Sequence, residues 1–323
     1  MNRPIDRRTL LASVALAAFP AGAQGRYPDK PIRLIVPFGP GGLADITSRV
    51  VGERIGQLLG QQVVIVNQPG AGGVAAARAA LGSPSDGYTL LLFTNGTAIS
   101  VPLVKDLGYD PLTQFVPVSS LGFFDFLMLT SAEHPHRTLA DLLAAAKAKP
   151  GALNIGTINV GSTQNLTANL FRSMTGADMA IVPYRTTPDA ITALLRKDVD
   201  LVIDGYVAAK SLMQEGKLRA LATSGPARFP GLPDIPTVAE SGVAGFDVTS
   251  WNAVFAPAGT PAPVIDTIHG AIQQALADEG VRRRLLDLGI EPRGGFAATI
   301  GERLRADIAR WGEVIRRAGI GQQ

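Results

Sequence analysis

Three aliphatic runs in this chain end in glycine-bearing turns that give way to helix-like patterns. Ile32-Phe38 precedes Gly39-Pro40-Gly41-Gly42, Val63-Val66 precedes Asn67-Gln68-Pro69-Gly70-Ala71-Gly72-Gly73, and Leu153-Ile158 precedes Asn159-Val160-Gly161-Ser162-Thr163. Such a turn leaves the first backbone N–H groups of its helix without intrahelical acceptors and at the positive end of the dipole. That makes it a site for anions such as carboxylates. Polar clusters also follow other aliphatic runs: Thr94-Asn95-Gly96-Thr97 after Thr89-Phe93, Tyr184 after Met179-Pro183, and Asp204 after Val199-Ile203. These residue types support capture of an anion rather than bond-making. No turn has the Gly-Lys-Ser/Thr ending of a phosphate loop, and neither a Gly-x-Ser-x-Gly elbow nor a His-Glu-x-x-His pair occurs. His134 and His136 flank a proline, His269 is distant, and cysteine is absent, so no metal set, cofactor or thiol nucleophile is expected.

Strands alternate with helices almost throughout, which implies an α/β fold with parallel-rich sheets flanked by helices. The patterns predict strands at Ile32-Pro37, Val63-Val66 and Thr89-Phe93, with helices at Ile46-Leu59 and Val74-Leu81. Phe115-Leu121 and Phe126-Thr130 read as two strands around a change of direction. After the helix Leu139-Ala148 a second series follows: Leu153-Ile158, Gln164-Met174, Met179-Pro183, Asp189-Leu195, Val199-Ile203 and Ala208-Glu215. A proline-rich passage, Gly225-Phe246, leads to the strand Val248-Phe255 and the closing helices Val264-Asp278 and Ala297-Arg317, whose apolar faces need a sheet to pack on. With crossings near Phe126 and Phe246, two α/β lobes are expected: 24–125 with 247–323, and 126–246. In open parallel sheets ligands bind beyond the carboxyl ends of strands, where each polar cluster named above falls.

The N-terminus reads as a cleaved signal peptide over residues 1–23. Arg3, Arg7 and Arg8 precede the apolar stretch Leu10-Phe19, too short to span a bilayer, and Ala21-Gly22-Ala23 supplies the small residues of a cleavage site. Arg7-Arg8-Thr9-Leu10-Leu11 is compatible with twin-arginine export as well as the general route. Cleavage would leave about 300 of the 323 residues, enough for two domains of roughly 100 to 150 residues each. The formal charge of +3 falls to +1 once the leader's three arginines and one aspartate are gone. The remaining basic residues are scattered, and Arg282-Arg283-Arg284 sits in a helical pattern as a solvated face, so no nucleic-acid partner is expected.

Across the processed chain the sequence resembles the extracytoplasmic solute receptors of tripartite tricarboxylate transporters, the Bug-type receptors. The markers include Tyr27-Pro28-Asp29-Lys30-Pro31-Ile32, Pro37-Phe38-x-x-Gly41-Gly42-x-x-Asp45, Asn67-x-Pro69-Gly70-Ala71-Gly72-Gly73 and Asp86-Gly87-Tyr88-Thr89-Leu90. Further along are Val182-Pro183-Tyr184, Gly216-Lys217-Leu218-Arg219-Ala220-Leu221-Ala222, Pro236-Thr237-Val238-Ala239-Glu240-Ser241-Gly242 and Ala256-Pro257-Ala258-Gly259-Thr260-Pro261. The resemblance implies a type II periplasmic binding fold whose two lobes close by a hinge on a small carboxylate and deliver it to a membrane permease. Family ligands include di- and tricarboxylates, amino acids and aromatic acids. A periplasmic monomer without enzymatic activity is the expectation.

The resemblance places one ligand carboxylate on main-chain groups and waters of the first two glycine-rich turns, here Phe38, Gly39, Gly41, Gly42 and Asp45 with Gly70, Ala71 and Gly72. Thr94, Asn95 and Thr97 join them from the same lobe. Gly161, Ser162, Thr163, Asn165, Tyr184 and Asp204 would read the rest of the ligand from the other lobe. Asn165 replaces a frequent histidine, Thr186-Thr187-Pro188 a more glycine-rich sequence, and Gly205 a frequent asparagine, so no particular family ligand transfers. Plainer roles stay open: Asp45 as a first-turn acid, Ser162 and Thr163 as helix caps, Tyr184 as lobe packing, Trp251 as core. A receptor reporting to a membrane sensor kinase, or an exported hydrolase, is the alternative function, and neighbouring genes discriminate uptake from sensing.

Overall fold

The computed structural model describes residues 27–70, 73–158, 160, 162–317 and 319–322. The leader and three candidate ligand positions, Ala71, Gly72 and Gly161, lie outside the described residues. The first sheet contains β1 (Ile32–Val36), β2 (Val63–Asn67) and β3 (Thr89–Thr94), parallel in the order β2-β1-β3. β3 is buried along its whole length, as expected of a strand covered on both faces. Each strand runs into a helix: α1 (Leu43–Leu59), α2 (Val74–Leu81) and α3 (Asn95–Leu103). The helix α3 was hidden in the sequence by Pro102 and by the turn-like Thr94-Asn95-Gly96.

β4 (Phe115–Ser131) is a single 17-residue strand, which corrects the expected change of direction between two strands. The Gly122-Phe123-Phe124-Asp125 segment does not turn. Register shifts at Pro117/Ser119 and Ser120/Gly122 absorb the irregularity, and the strand continues with added twist. From Phe115 to Asp125 it pairs antiparallel with β9 (Thr249–Pro257), which itself joins β3. From Phe126 onward it pairs antiparallel with β7 (Leu201–Gly205) and from Leu127 with β8 (Leu218–Thr223). The second sheet is completed by β5 (Leu153–Ile158), parallel to β6 (Met179–Tyr184) and to β7. The architecture is therefore mixed: the strands that cross between sheets are antiparallel, and the βα units on either side are parallel.

This topology dictates where a cleft forms. β3 and β4 are both antiparallel to β9, so β3 points toward the second sheet, and β7, antiparallel to β4, points toward the first. The carboxyl ends of both parallel sets, and the starts of α1, α2, α3, α5 (Thr163–Thr175), α6 (Thr187–Arg196) and α7 (Tyr206–Gln214), thus face each other. The remaining helices are α4 (Leu139–Ala148), α8 (Ala262–Ala277), α9 (Glu279–Leu286) and α10 (Ala297–Arg317). α10 buries Ile300, Leu304, Trp311, Val314 and Ile315 along one stripe. Trp311 Nε1 donates to Asn95 Oδ1 at 2.8 Å, tying α10 to the start of α3. Trp251 is fully buried and donates to Asp307 Oδ2 at 2.7 Å, so it belongs to the core.

The two crossings are pinned side by side. Phe126 N donates to Ser224 Oγ at 2.9 Å, Ser224 Oγ donates to Val248 O at 2.6 Å, and the backbones exchange further bonds through Ser224. Next to them, the Asp125 carboxylate accepts from Thr249 Oγ1 at 2.9 Å. Burial pushes the Asp125 carboxyl up to about 6, overcoming that hydrogen bond, with Asp247 and Glu291 adding like charge. A folded-state value above the unfolded one means stability present below about pH 4 and lost as pH rises through about 6. Asp125→Asn removes this loss. The stability difference between variant and wild type should move in the variant's favour by up to roughly 3 kcal/mol from pH 4 to 7. Urea unfolding at both pH values checks it, and a pH-independent difference contradicts it.

Candidate functional site

The first turn is held open by its own carboxylate. Gly41 adopts φ +85°, a conformation glycine takes without steric cost, and this aims its N–H at Asp45 Oδ2 at 2.9 Å. Asp45 is 3 % exposed, and it also accepts from Arg49 Nε at 3.0 Å and from Asn67 Nδ2 at 2.9 Å. Asn67 Nδ2 in turn donates to Phe38 O at 3.0 Å, and Arg49 Nη2 donates to Asn67 Oδ1 at 3.0 Å. Burial works against the Asp45 charge, but the hydrogen bonds from Arg49, Gly41 and Asn67 outweigh it and hold the carboxyl below its ordinary range. Asp45 therefore faces its own network and joins the first turn to the end of β2. Asp45→Ala, which strips partners from Arg49, Asn67 and Gly41, should cost about 1.5–3 kcal/mol of unfolding free energy, read by urea titration.

Capping separates the six helix starts at the cleft into two sets. α3, α5 and α6 are closed by hydroxyl caps: Thr94 accepts from Gly96 N, Ser162 from Asn165 N, and Thr186 from Asp189 N. α1, α2 and α7 begin at Gly42, Gly73 and Gly205, and none has a side-chain cap. Among the described residues the first-turn N–H groups of α1 and α2 have no side-chain acceptor, which is the state an anion requires, whereas at α7 the Gly205 N–H is already bonded to Asp204 Oδ1 at 2.7 Å. α8 is likewise uncapped after Pro261, but it follows β9 and so starts at the opposite end of the sheet.

Several candidate residues turn out to be structurally engaged. Thr94 and Thr97 form a capping box, and Asn95 is committed through Oδ1 to Trp311. Ser162 Oγ also donates to Ile158 O at 3.2 Å. Asn165 is buried, donating to Thr157 Oγ1 at 3.1 Å, and Thr163 lies buried beside it in the first turn of α5. Tyr184 packs on the Leu127–Val202 cluster beneath α6 and α7, and that burial raises its phenol above the ordinary value. Gly42 and Gly70 are exposed, and Gly39 is partly buried. Phe38 is 42 % exposed, and its ring lies over the start of α3, with Cζ 3.7 Å from where a Gly96 side chain would begin.

Asp204 is the buried carboxyl of the second sheet's wall, 4 % exposed at the end of β7. It accepts from Thr187 Oγ1 at 2.6 Å, Gly205 N at 2.7 Å and Gln164 Nε2 at 3.3 Å. Burial pushes its carboxyl up against the pull of these three bonds. Immediately beyond it, the two sides of the cleft touch. A Cβ on Gly205 would stand 2.7 Å from Leu43 Cδ1, so the start of α7 meets the start of α1 only because residue 205 has no side chain. Lys210 Nζ donates to Asp287 O at 2.7 Å farther along the same contact. Sequence reasoning missed Leu43, Asn67, Arg49, Gln164 and Thr187 as site residues. A partial signal existed: Arg49 follows Asp45 by one helical turn, and Gln164 and Thr187 occupy first-turn positions after strand ends.

Comparison with known proteins identifies the family. Residues 47–320 match the model of the tripartite tricarboxylate transporter family receptor. The protein BugT of Bordetella pertussis is 34 % identical over 311 residues, covering 96 % of this chain and 95 % of its own. Among solved structures, Rpa4515 of R. palustris with adipate is 34 % identical with a TM-score of 0.84, over 92 % of this chain and 100 % of its own. MatC of Rhodopseudomonas palustris with bound malate is 32 % identical with a TM-score of 0.79, over 90 % of this chain and 100 % of its own. The overall fold is thus shared with these solved structures, and this chain belongs to the tripartite tricarboxylate transporter receptor family of solute-binding proteins.

Proposed function

We propose that this protein is a periplasmic receptor that captures a small carboxylate between two lobes, 24–125 with 247–323 and 126–246, and delivers it to a tripartite membrane permease. The observation that carries the reading is the pair of uncapped glycine starts of α1 and α2, side by side at one cleft. Main-chain donors there hold a carboxylate without a buried cationic side chain, and bridging waters complete the shell at modest entropic cost. Gly39, Gly42 and Gly70 contribute the first-lobe side, while Gly41 and Asp45 hold its shape. The second lobe swings on the pinned crossings at Phe126 and Val248 and seats Gly205 against Leu43. The adipate and malate seen in two structural relatives are chemically of this class. The leader would be removed after Ala23, and the processed protein acts as a monomer without chemistry of its own.

The test is a melting screen of refolded, ligand-free protein against small carboxylates. A ligand at a hundredfold excess over its dissociation constant stabilises by about 2.7 kcal/mol. That corresponds to a rise of roughly 4 °C for a protein of about 300 residues. If no acid of any kind moves the transition, carboxylate capture is wrong.

A further inference from the structure

The second-lobe wall of the cleft has an unusual polarity. Asp204 lies more than nine-tenths buried behind it, and among the described residues its three donors come from its own lobe, with no cation among them. Thr187 has one hydroxyl proton, and it is spent on Asp204 Oδ2 at 2.6 Å. What Thr187, half-exposed, turns toward solvent is therefore lone pairs. Gln164 is also half-exposed and directs its amide nitrogen to Asp204 Oδ1, which orients its carbonyl oxygen away from the carboxylate. The Gly205 amide, the first donor of the uncapped α7, is likewise consumed by Asp204 at 2.7 Å. This wall stands directly across from the start of α1, since Gly205 touches Leu43.

We propose that Asp204, acting through Thr187 and Gln164, makes this protein select carboxylates whose far end carries a hydrogen-bond donor, an ammonium or a hydroxyl, over dicarboxylates of the same length. The inference rests on the carboxylate-capture reading and specifies the ligand class within it. A second carboxylate placed against this wall would meet acceptor lone pairs and, behind them, a buried carboxyl with no cation among its donors in the described residues, in a site that closure makes drier. An ammonium or hydroxyl would meet acceptors already oriented toward it and would give the buried charge a favourable partner. Asp204 is thus a positioning residue: it reads the ligand through the polarity it imposes on two side chains, as well as through its field.

The experiment uses calorimetry on the wild-type protein with length-matched acids: succinate against 4-hydroxybutyrate and 4-aminobutyrate, and adipate against 6-hydroxyhexanoate and 6-aminohexanoate. The donor-ended member of the better-bound length is expected to bind at least tenfold tighter than its dicarboxylate. Equal or tighter binding of the dicarboxylate overturns the proposal. Asp204→Asn supplies the second readout, because an amide can offer donors to Thr187 and Gln164 and carries no charge. It should shrink the preference, whereas an unchanged preference removes Asp204 from the assignment. A purely structural role would weaken both members of a pair alike. Should Asp204→Asn not fold, the wild-type ratio still decides the selectivity. Binding of neither member of any pair, nor of any other acid in the melting screen, would instead refute carboxylate capture itself.

Discussion

Gly42→Asp is expected to raise the melting temperature of the ligand-free protein and at the same time to reduce carboxylate binding by at least about 100-fold. Residue 42 is the N-cap of α1, with φ −84° and ψ 171°, the extended conformation that aspartate adopts at helix starts. Space is available, since nothing lies within 4 Å of a Cβ built there. The new carboxylate would accept from the first-turn N–H groups and sit at the positive end of the dipole, together worth about 0.5–1 kcal/mol over glycine. It would also occupy the donors proposed for the ligand and repel a second anion, and like-charge juxtaposition costs several kcal/mol. Opposite signs for stability and affinity are the signature of a helix start left open for function. If Gly42→Asp binds carboxylates as well as the wild type, the α1 amides are not the site.

Gly205→Val is expected to weaken binding by about 5- to 150-fold with little change in the melting of the ligand-free protein. A Cβ at this position meets Leu43 Cδ1 at 2.7 Å, across the contact between the start of α7 and the start of α1. Overpacking typically costs 1–3 kcal/mol. In the proposed open form this clash is absent, so under that proposal the cost falls on the closed, ligand-bound state and appears as lost affinity. Leu43→Ala in the same chain removes the obstructing methyl groups and should recover most of the loss. A double-mutant cycle by calorimetry measures this coupling. Additive losses would place the Leu43–Gly205 contact outside the closure step.

The elements that could be read from sequence are those whose periodicity is uninterrupted. α2, α4, β5 and α10 begin and end where their patterns predict, because turn residues or abrupt polarity changes bound them. β4 could not be read as one strand, since Gly122 and Asp125 look like turn residues until the antiparallel partner β9 is known to continue past them. The same limit applies to β8, which carries a family motif but whose pairing with β4 is a tertiary fact. At the site, glycine-rich turns were legible because backbone exposure follows from glycine itself. The division of labour among hydroxyls was not. Thr94, Ser162 and Thr186 are caps while Thr187 serves Asp204, yet all are the same kind of side chain at the same kind of position. Only the fold decides which hydroxyl has a neighbour to bond. Asp45 and Asp204 were both legible as carboxyls near an anion site, and both prove to face inward, one onto Arg49 and Asn67, the other onto Gln164, Thr187 and the Gly205 amide.

A crystal structure of the protein with its best carboxylate from the melting screen tests the central claim most directly. The account predicts one ligand carboxylate in the cleft, bonded directly or through a single water to main-chain N–H groups of residues 39–44 and 70–75. The contradicting result is a carboxylate neutralised by a side-chain cation, such as the exposed Arg185 at the end of β6, with the glycine turns left facing solvent.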